Sequence, residues 1–437
     1  MGKFGLMAGT AAIAIFAASG ANAAVQGGTA VTTIDTTVAS QPTNQIQLAQ
    51  ADVPPSNAEL EARLSALEAE VQDSQMRAAQ AASAPPAAPS GWWSNTSISG
   101  RMYFDVTNIS NKVNGARSTA ATNAVNGVTN GNGTNFDIKR FYIGIDHTFN
   151  DTYSANVTTD TTYDGTTGAG QLFLKKAYLQ AKYDPAFIIR LGATDMPWIP
   201  YAESIYGMRY FEQTLIDRTK YGTSSDWGVH LLGSVFDGIL NYQFSAVNGG
   251  GYKKIPVGSD ANRFSTMDFE GRINATYEGF SLAVGGYTGK LGTPSGTVTL
   301  KTAQRFNVLG AYVANGLRVG VEYFSANNIS NGDALVNTVL GEGANGVSAF
   351  ASYYFLPEWA VFGRFDNVNP KTKTSPATNE NFYTFGFTYS PVKTVDFSLA
   401  YKHDGVGHGT ISTANGTIGG AVNGTYNEIG LWGDFQW

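Results

Sequence analysis

The sequence predicts an all-β fold, a sixteen-stranded antiparallel transmembrane β-barrel preceded by a short α-helical coiled-coil segment. Three observations point there. Only 14% of the 437 residues are charged while 12% are aromatic, and there are 51 glycines; soluble globular domains carry about 25% charge. Beyond the N-terminus no stretch offers the ~18 consecutive apolar residues of a membrane-spanning helix. From Ser97 to Trp437 alternating runs recur at roughly nine to fourteen residues, the strand length of a membrane barrel. A short connection and a long one separate them in turn. A mean hydropathy of -0.14 suits a sheet with one lipid-facing side and one wet side.

Taken in order, residues 1–23 read as a secretory signal. Lys3 supplies the positive start, Leu6 to Ala18 the apolar core, and Ala21-Asn22-Ala23 the small-residue cleavage site. Residues 24–55 are Thr, Gln, Ala and Ser-rich without an apolar period, a composition that stays disordered. At 56–80 the pattern changes. Ser56-Asn57-Ala58-Glu59 is a helix-start signal, and Leu60, Leu64, Leu67 and Val71 follow at 4-3-4 spacing. One apolar seam on a helix predicts a short trimerising coiled coil; a surface helix docked on its own barrel is the alternative. Residues 81–96, with Pro85, Pro86 and Pro89, form a linker, and Trp92-Trp93 sit where an aromatic belt anchors a first strand.

The barrel occupies 97–437. Its short connections are Asn150-Asp151, Asp184-Pro185, Asp237-Gly238, Glu278-Gly279, Asn315-Gly316, Pro357-Glu358 and Ser390 to Thr394. Asp-Gly and Asn-Gly pairs are the chemistry of tight hairpin turns. The long ones centre on 109–135, 163–170, 195–218, 249–263, 289–302, 326–345, 368–381 and 405–424, and they are rich in Asn, Gly, Thr and Ser. Seven short turns and eight long loops require sixteen strands, with both ends on the short-turn side.

Alternation also assigns faces. A Lys or Arg facing lipid at midplane costs about 2–4 kcal/mol, so mid-strand charges turn inward. That places Arg101, Arg140, Lys176, Lys182, Arg190, Arg272, Arg305, Arg318, Arg364 and Lys402 on the pore wall, together with Asp105, Asp146, Asp268, Glu270, Glu322, Asp366, Asp396 and Glu428.

The third long loop differs from the rest. Met196, Trp198, Ile199, Tyr201, Ile205, Tyr206, Tyr210 and Phe211 would be wasted on a loop in water. Asp195, Glu203, Arg209, Glu212, Asp217 and Arg218 give it both signs of charge. Such a loop either narrows the pore or packs outward against a neighbouring subunit.

With these elements the chain resembles the trimeric Gram-negative porins, and among them the phosphate-selective porin O and P type. The resemblance rests on Ser99-Gly100-Arg101 followed by Asp105, on Ile138 to Gly144 with Arg140, and on Leu191-Gly192 through Pro197, Glu203 to Phe211-Glu212 and Arg218. It implies an outer-membrane location with the N-terminal segment in the periplasm, outer-membrane lipid around the barrel, and a homotrimer. It further implies passive diffusion of small hydrophilic solutes or inorganic ions, anions such as phosphate among them, with the 195–218 loop as constriction. The family ends in an aromatic, usually Phe, that the barrel-assembly machinery reads; Trp437 stands here.

Other functions have little support. A net charge of -6 argues against a nucleic-acid partner. No catalytic residues, cofactor or metal site are expected: there is no Cys, and no nucleotide loop, HExxH or Gly-x-Ser-x-Gly motif. Of the four His, His403 and His408 at the start of the last long loop are the nearest approach to an enzymatic cluster, with Lys402 and Asp404. The reading from a different class is a surface receptor or adhesin barrel that presents its outer loops.

Overall fold

Sixteen long strands form, each antiparallel to its neighbours in sequence. The computed structural model describes residues 57–83, 91–118, 124–125, 128–129, 131–163, 169–254, 263–295, 300–330, 333–335, 342–371 and 377–437. The predicted signal and leader lie outside these. The strands are β1 Thr96–Val113, β2 Gly133–Thr148, β3 Tyr153–Tyr163, β4 Gly170–Asp184, β5 Phe187–Asp195, β6 Ser225–Val235, β7 Leu240–Val247 and β8 Asp268–Tyr277. They continue as β9 Phe280–Gly289, β10 Ala303–Ala314, β11 Leu317–Asn327, β12 Gly343–Leu356, β13 Trp359–Lys371, β14 Asn379–Val392, β15 Val395–Thr413 and β16 Gly416–Gln436.

β16 returns to β1, pairing Arg101 with Gln436 and so on to Val113 with Gly424. The sheet is closed, and no long strand is left with an unpaired edge. The seven short connections fall where the turn residues placed them. At Asn315-Gly316 both residues have positive φ (53° and 77°), the geometry of a two-residue hairpin turn that matches strand twist.

The two faces separate as the period-two pattern requires. On β14, Phe385 and Phe387 are 57% and 54% exposed, while Thr384 and Thr388 are buried. Two of the register shifts bring an extra lysine to the inner side. Register shifts between Tyr103 and Phe104 opposite β2, so that Lys139 joins Arg140 on the inner side. It shifts again between Thr158 and Thr159 opposite β4, which adds Lys175 beside Lys176.

Three sequence boundaries need correction. The stretch 405–424 is not a loop: β15 and β16 pair almost to their ends, leaving only Ala414-Asn415 between Thr413 and Gly416. Its Gly, Asn and Thr composition imitates a loop, but its alternation is that of a ribbon. Asp195 closes β5 and does not belong to the third loop, which continues past Arg218 to Ser224. The N-terminal helix, α1, runs Asn57–Ser83 and not 56–80, so the linker is shorter at its start.

The chain divides into two units, Met1–Pro85 and Pro86–Trp437. Within the first, Leu64, Leu67, Val71 and Met76 are exposed on α1. The lipid-facing rows of the second make a direct prediction. Val284→Arg, mid-strand on the outer face of β9, should lower barrel stability by about 2–4 kcal/mol in urea titrations of lipid-reconstituted protein.

Candidate functional site

Residues 196–224 leave the strands and turn into the barrel. Their carboxylate, carbonyl and ring contacts reach β8, β10, β11, β13, β14, β15 and β16. One segment touches that many strands of a closed barrel only from inside it.

The segment carries two helices. α2, Ile199–Tyr206, begins with Pro200 in its first turn, where a missing N–H costs nothing. It ends at Gly207, whose φ of 77° is left-handed and whose N–H donates to the Glu203 carbonyl at 2.9 Å. A single turn, α3 Leu215–Arg218, follows.

Apolar anchors seat both. Trp198, Ile199, Leu215 and Ile216 are fully buried, each contributing about 1.5–3 kcal/mol. Tyr206 packs edge-on against Phe350 (5.2 Å), and Phe211 against Phe362 (5.0 Å) and Trp432 (4.7 Å). Polar fixings are as specific. The Trp198 N–H donates to Glu270 (2.9 Å) and its indole Nε1 to Glu322 (2.7 Å). The Tyr210 hydroxyl lies 2.6 Å from Ser398 Oγ.

The cations expected on the wall make contacts of different kinds. Arg101 pairs with Asp434, Arg140 with Asp160 and Lys176 with Asp195, each at 2.6 Å. These are ion pairs along the wall. Four others hold the inserted segment by its backbone. Arg272 donates to the Pro197 carbonyl (2.9 Å), Arg318 to those of Ser204 (3.0 Å) and Ile205 (3.1 Å), Arg305 to Tyr221 and Arg364 to Gln213. Arg318 thus caps the negative end of α2. Lys402 lies between Glu212 (3.3 Å) and Glu428 (3.1 Å). Arg190 donates to Gln180 at 2.8 Å and lies over the Tyr178 ring, and Lys182 is exposed, in step along the strand with Tyr178.

The loop charges divide likewise. Arg209 pairs within the segment, with Glu203 (2.5 Å) and Asp217 (3.5 Å). Arg218 is the central fixing. Fully buried, it contacts Asp366 (3.0 Å), Glu380 (2.6 Å) and Asp404 (3.1 Å), and its guanidinium stacks 4.3 Å from the Phe382 centroid. Arg364 also pairs with Asp366 at 2.6 Å. At Glu212 a loop acid faces a wall base, and at Arg218 the signs are reversed.

The Lys402, His403, Asp404 and His408 group does not assemble. Lys402 and Asp404 face inward to the partners above. His403 faces the other way, with Nδ1 2.7 Å from Asn427 Oδ1 and its ring stacked on Tyr383. His408 sits at a φ of 55° in a strand irregularity.

Among the described residues, two sizeable adjoining cavities lie beside the inserted segment. One, about 230 Å³, is lined by Lys220 to Thr223, Gly249, Gly250, Lys254, Glu270, Tyr287 and Arg305. The other, about 220 Å³, adjoins it across Gly222, Thr223 and Gly250 and adds Arg140, Arg209, Asp217 and Lys253. Among the described residues neither Lys220 nor Lys254 is in an ion pair; the Lys220 ammonium donates to Ser412 Oγ at 2.7 Å. Lys220 touches lumen solvent, but the protein crowded round it lowers its pKa. Burial, with Arg140 adding, brings Lys253 down to about 8. Sequence reasoning missed Lys220, Lys253 and Lys254 because they lie outside the strands, and Lys139 and Lys175 because bulges break parity.

No family model matches the chain, and no curated protein sequence matches it. Solved structures do. The outer-membrane channel DcaP of Acinetobacter baumannii superposes with a TM-score of 0.55 at 14% identity, covering 78% of this chain and 97% of that one. The anion-selective porin from Comamonas acidovorans gives 0.54 at 12%, covering 78% and 99%. Salmonella typhi OmpF, in complex with daunomycin, gives 0.54 at 12%, covering 78% and 97%. The barrel has the porin fold.

Two predictions test how the segment is held. Arg218→Ala leaves three buried carboxylates short of a cation and should cost about 3–5 kcal/mol in urea unfolding. Burial works to raise the Glu212 pKa, but Lys402, Arg218 and Arg364 outweigh it and hold the carboxyl below its ordinary 4.5. Its stabilisation is therefore complete above pH 4.5 and is lost as pH falls through the lower folded value. Glu212→Gln should flatten that acid limb when unfolding midpoints are compared across pH 3 to 7.

Proposed function

We propose that this chain is an outer-membrane porin, a water-filled pore for passive diffusion of small hydrophilic solutes and ions, narrowed by the inserted segment. The observation that carries the reading is a closed barrel crossed internally by one segment, with cavities left beside it. A plugged scaffold would fill that space. The structural likeness to channels of the outer membrane supports the same location, with outer-membrane lipid against the apolar rows.

Anions are the favoured solutes. Acidic residues around the cavities are committed: Glu270 to Arg305 and the Trp198 N–H, Asp217 to Arg209. The cations beside them at Lys220 and Lys254 are not matched by carboxylates among the described residues. In a narrow polar passage such uncompensated charge sets ion preference. Phosphate is one anion this would admit, and the neighbour titled anion-selective is consistent with the sign. The exposed seam Leu64, Leu67 and Val71 on α1 supports a homotrimer joined by a three-stranded coil. Biogenesis would use the barrel-assembly machinery. In this reading the protein is a channel and not an enzyme.

Liposome swelling separates this from the adhesin reading, since a plugged barrel passes no sugars. In planar bilayers under a KCl gradient, Lys220→Glu with Lys254→Glu should move the reversal potential toward cation preference, raising the cation-to-anion permeability ratio about three-fold or more. An unchanged potential would discard the anion assignment.

A further inference from the structure

We propose that the far end of the β15–β16 hairpin is a second narrowing element, a lid folded back onto the inserted segment, and that its position sets the largest solute admitted. The proposal rests on the channel reading above and adds to it an element outside the third loop.

The hairpin is the longest in the barrel, at 19 and 21 residues a strand. Its ladder breaks between Gly407 and Gly409, then resumes with Gly409 opposite Gly420 and ends at Thr413 opposite Gly416. At the break His408 and Gly409 have φ of 55° and 150°. Across from them Gly419 has a φ of 119°, and a Cβ there would lie 2.1 Å from the Gly409 carbonyl. A bend is therefore built into both strands at one level. Glycine is required there for close approach as well as for φ.

Beyond the bend the ribbon does not continue into solvent. Ile411 and Ile418, directly opposed, are buried in the apolar cluster that contains Trp198, Ile199, Leu215 and Ile216. The Ala414 N–H donates to the Arg218 carbonyl at 2.7 Å. Asn415 Nδ2 donates to Glu212 Oε2 at 3.1 Å, and Lys220 Nζ donates to Ser412 Oγ. Arg218 is pinned inside the barrel by Asp366, Glu380 and Asp404, so the tip reaches it only by entering the mouth.

The seat is also separable from what lies under it. The inserted segment is tied to the wall by buried ion pairs; among the described residues the lid has none and is held by two isoleucines and a few hydrogen bonds. Lys220, which lines the larger cavity, is capped by Ser412. Lifting the lid frees that ammonium and widens the approach to the cavity, leaving the third loop in place.

The test replaces residues 410–419 with Asn-Gly, a two-residue turn that closes the ribbon at Gly409 and Gly420. Single-channel conductance should rise about two-fold or more, and swelling assays should admit larger sugars than the unshortened chain does. A second variant, Ile411→Asn with Ile418→Asn, unseats the tip without shortening it and should act in the same direction. Folding of both is checked by heat-modifiable electrophoretic mobility. If both fold and conduct with the conductance and size limit of the parent, the lid assignment is overturned while the channel reading stands. If the parent and both variants pass nothing in either assay, the channel reading falls and takes the lid with it. A silent parent and a conducting shortened variant would make the lid a complete plug, which supports the assignment.

Discussion

A guanidinium buried among three carboxylates holds the interior together. Asp366, Glu380 and Asp404 come from neighbouring strands, and no wall of a barrel would gather them unopposed in so enclosed a place. Arg218 supplies the missing charge from a different part of the chain. The wall is acidic there because the loop is basic, and the loop enters because the wall is acidic. Removing either leaves charge of the other buried with less compensation. Trp198, Phe211 and Tyr210 then have fixed places to go, since the segment's entry depth is set at one point.

The arginines of the wall show why sign alone is a poor guide to a pore. Arg272, Arg305, Arg318 and Arg364 face inward as alternation demands, but each is engaged by a carbonyl of the inserted segment. A guanidinium with five donors in a planar fork can serve a wall carboxylate and a loop carbonyl together, as Arg305 and Arg364 do. In the proposed channel, the field on a passing solute would come from side chains that such bonds have not claimed. Beside the cavities, Lys220 and Lys254 are two such side chains among the described residues.

Much of the architecture was readable along the chain. Lipid on one face and water on the other impose a period of two, and pairs such as Asn315-Gly316 mark the turns, so strand number and inward charge follow from local pattern. What local pattern lacks is partner identity. That Arg218 meets Asp404, 186 positions away, is a property of closure. Bulges are the other blind spot. One extra residue at Lys139 or Lys175 leaves the strand's overall rhythm intact and still turns a lysine inward. The 405–424 stretch misled in the opposite way: Gly, Asn and Thr read as loop, while Ile411 opposite Ile418 and the unbroken pairing beyond His408 show a ribbon bent at glycine.

The β16 strand is both half of the lid's hairpin and the staple that meets β1, from Arg101 with Gln436 upward. The seam joins positions more than three hundred residues apart, Arg101 with Asp434 among them. The same hairpin carries Asp404, one of the acids that hold Arg218. Sealing the cylinder, covering its entrance and balancing the interior charge are thus tasks of a single hairpin.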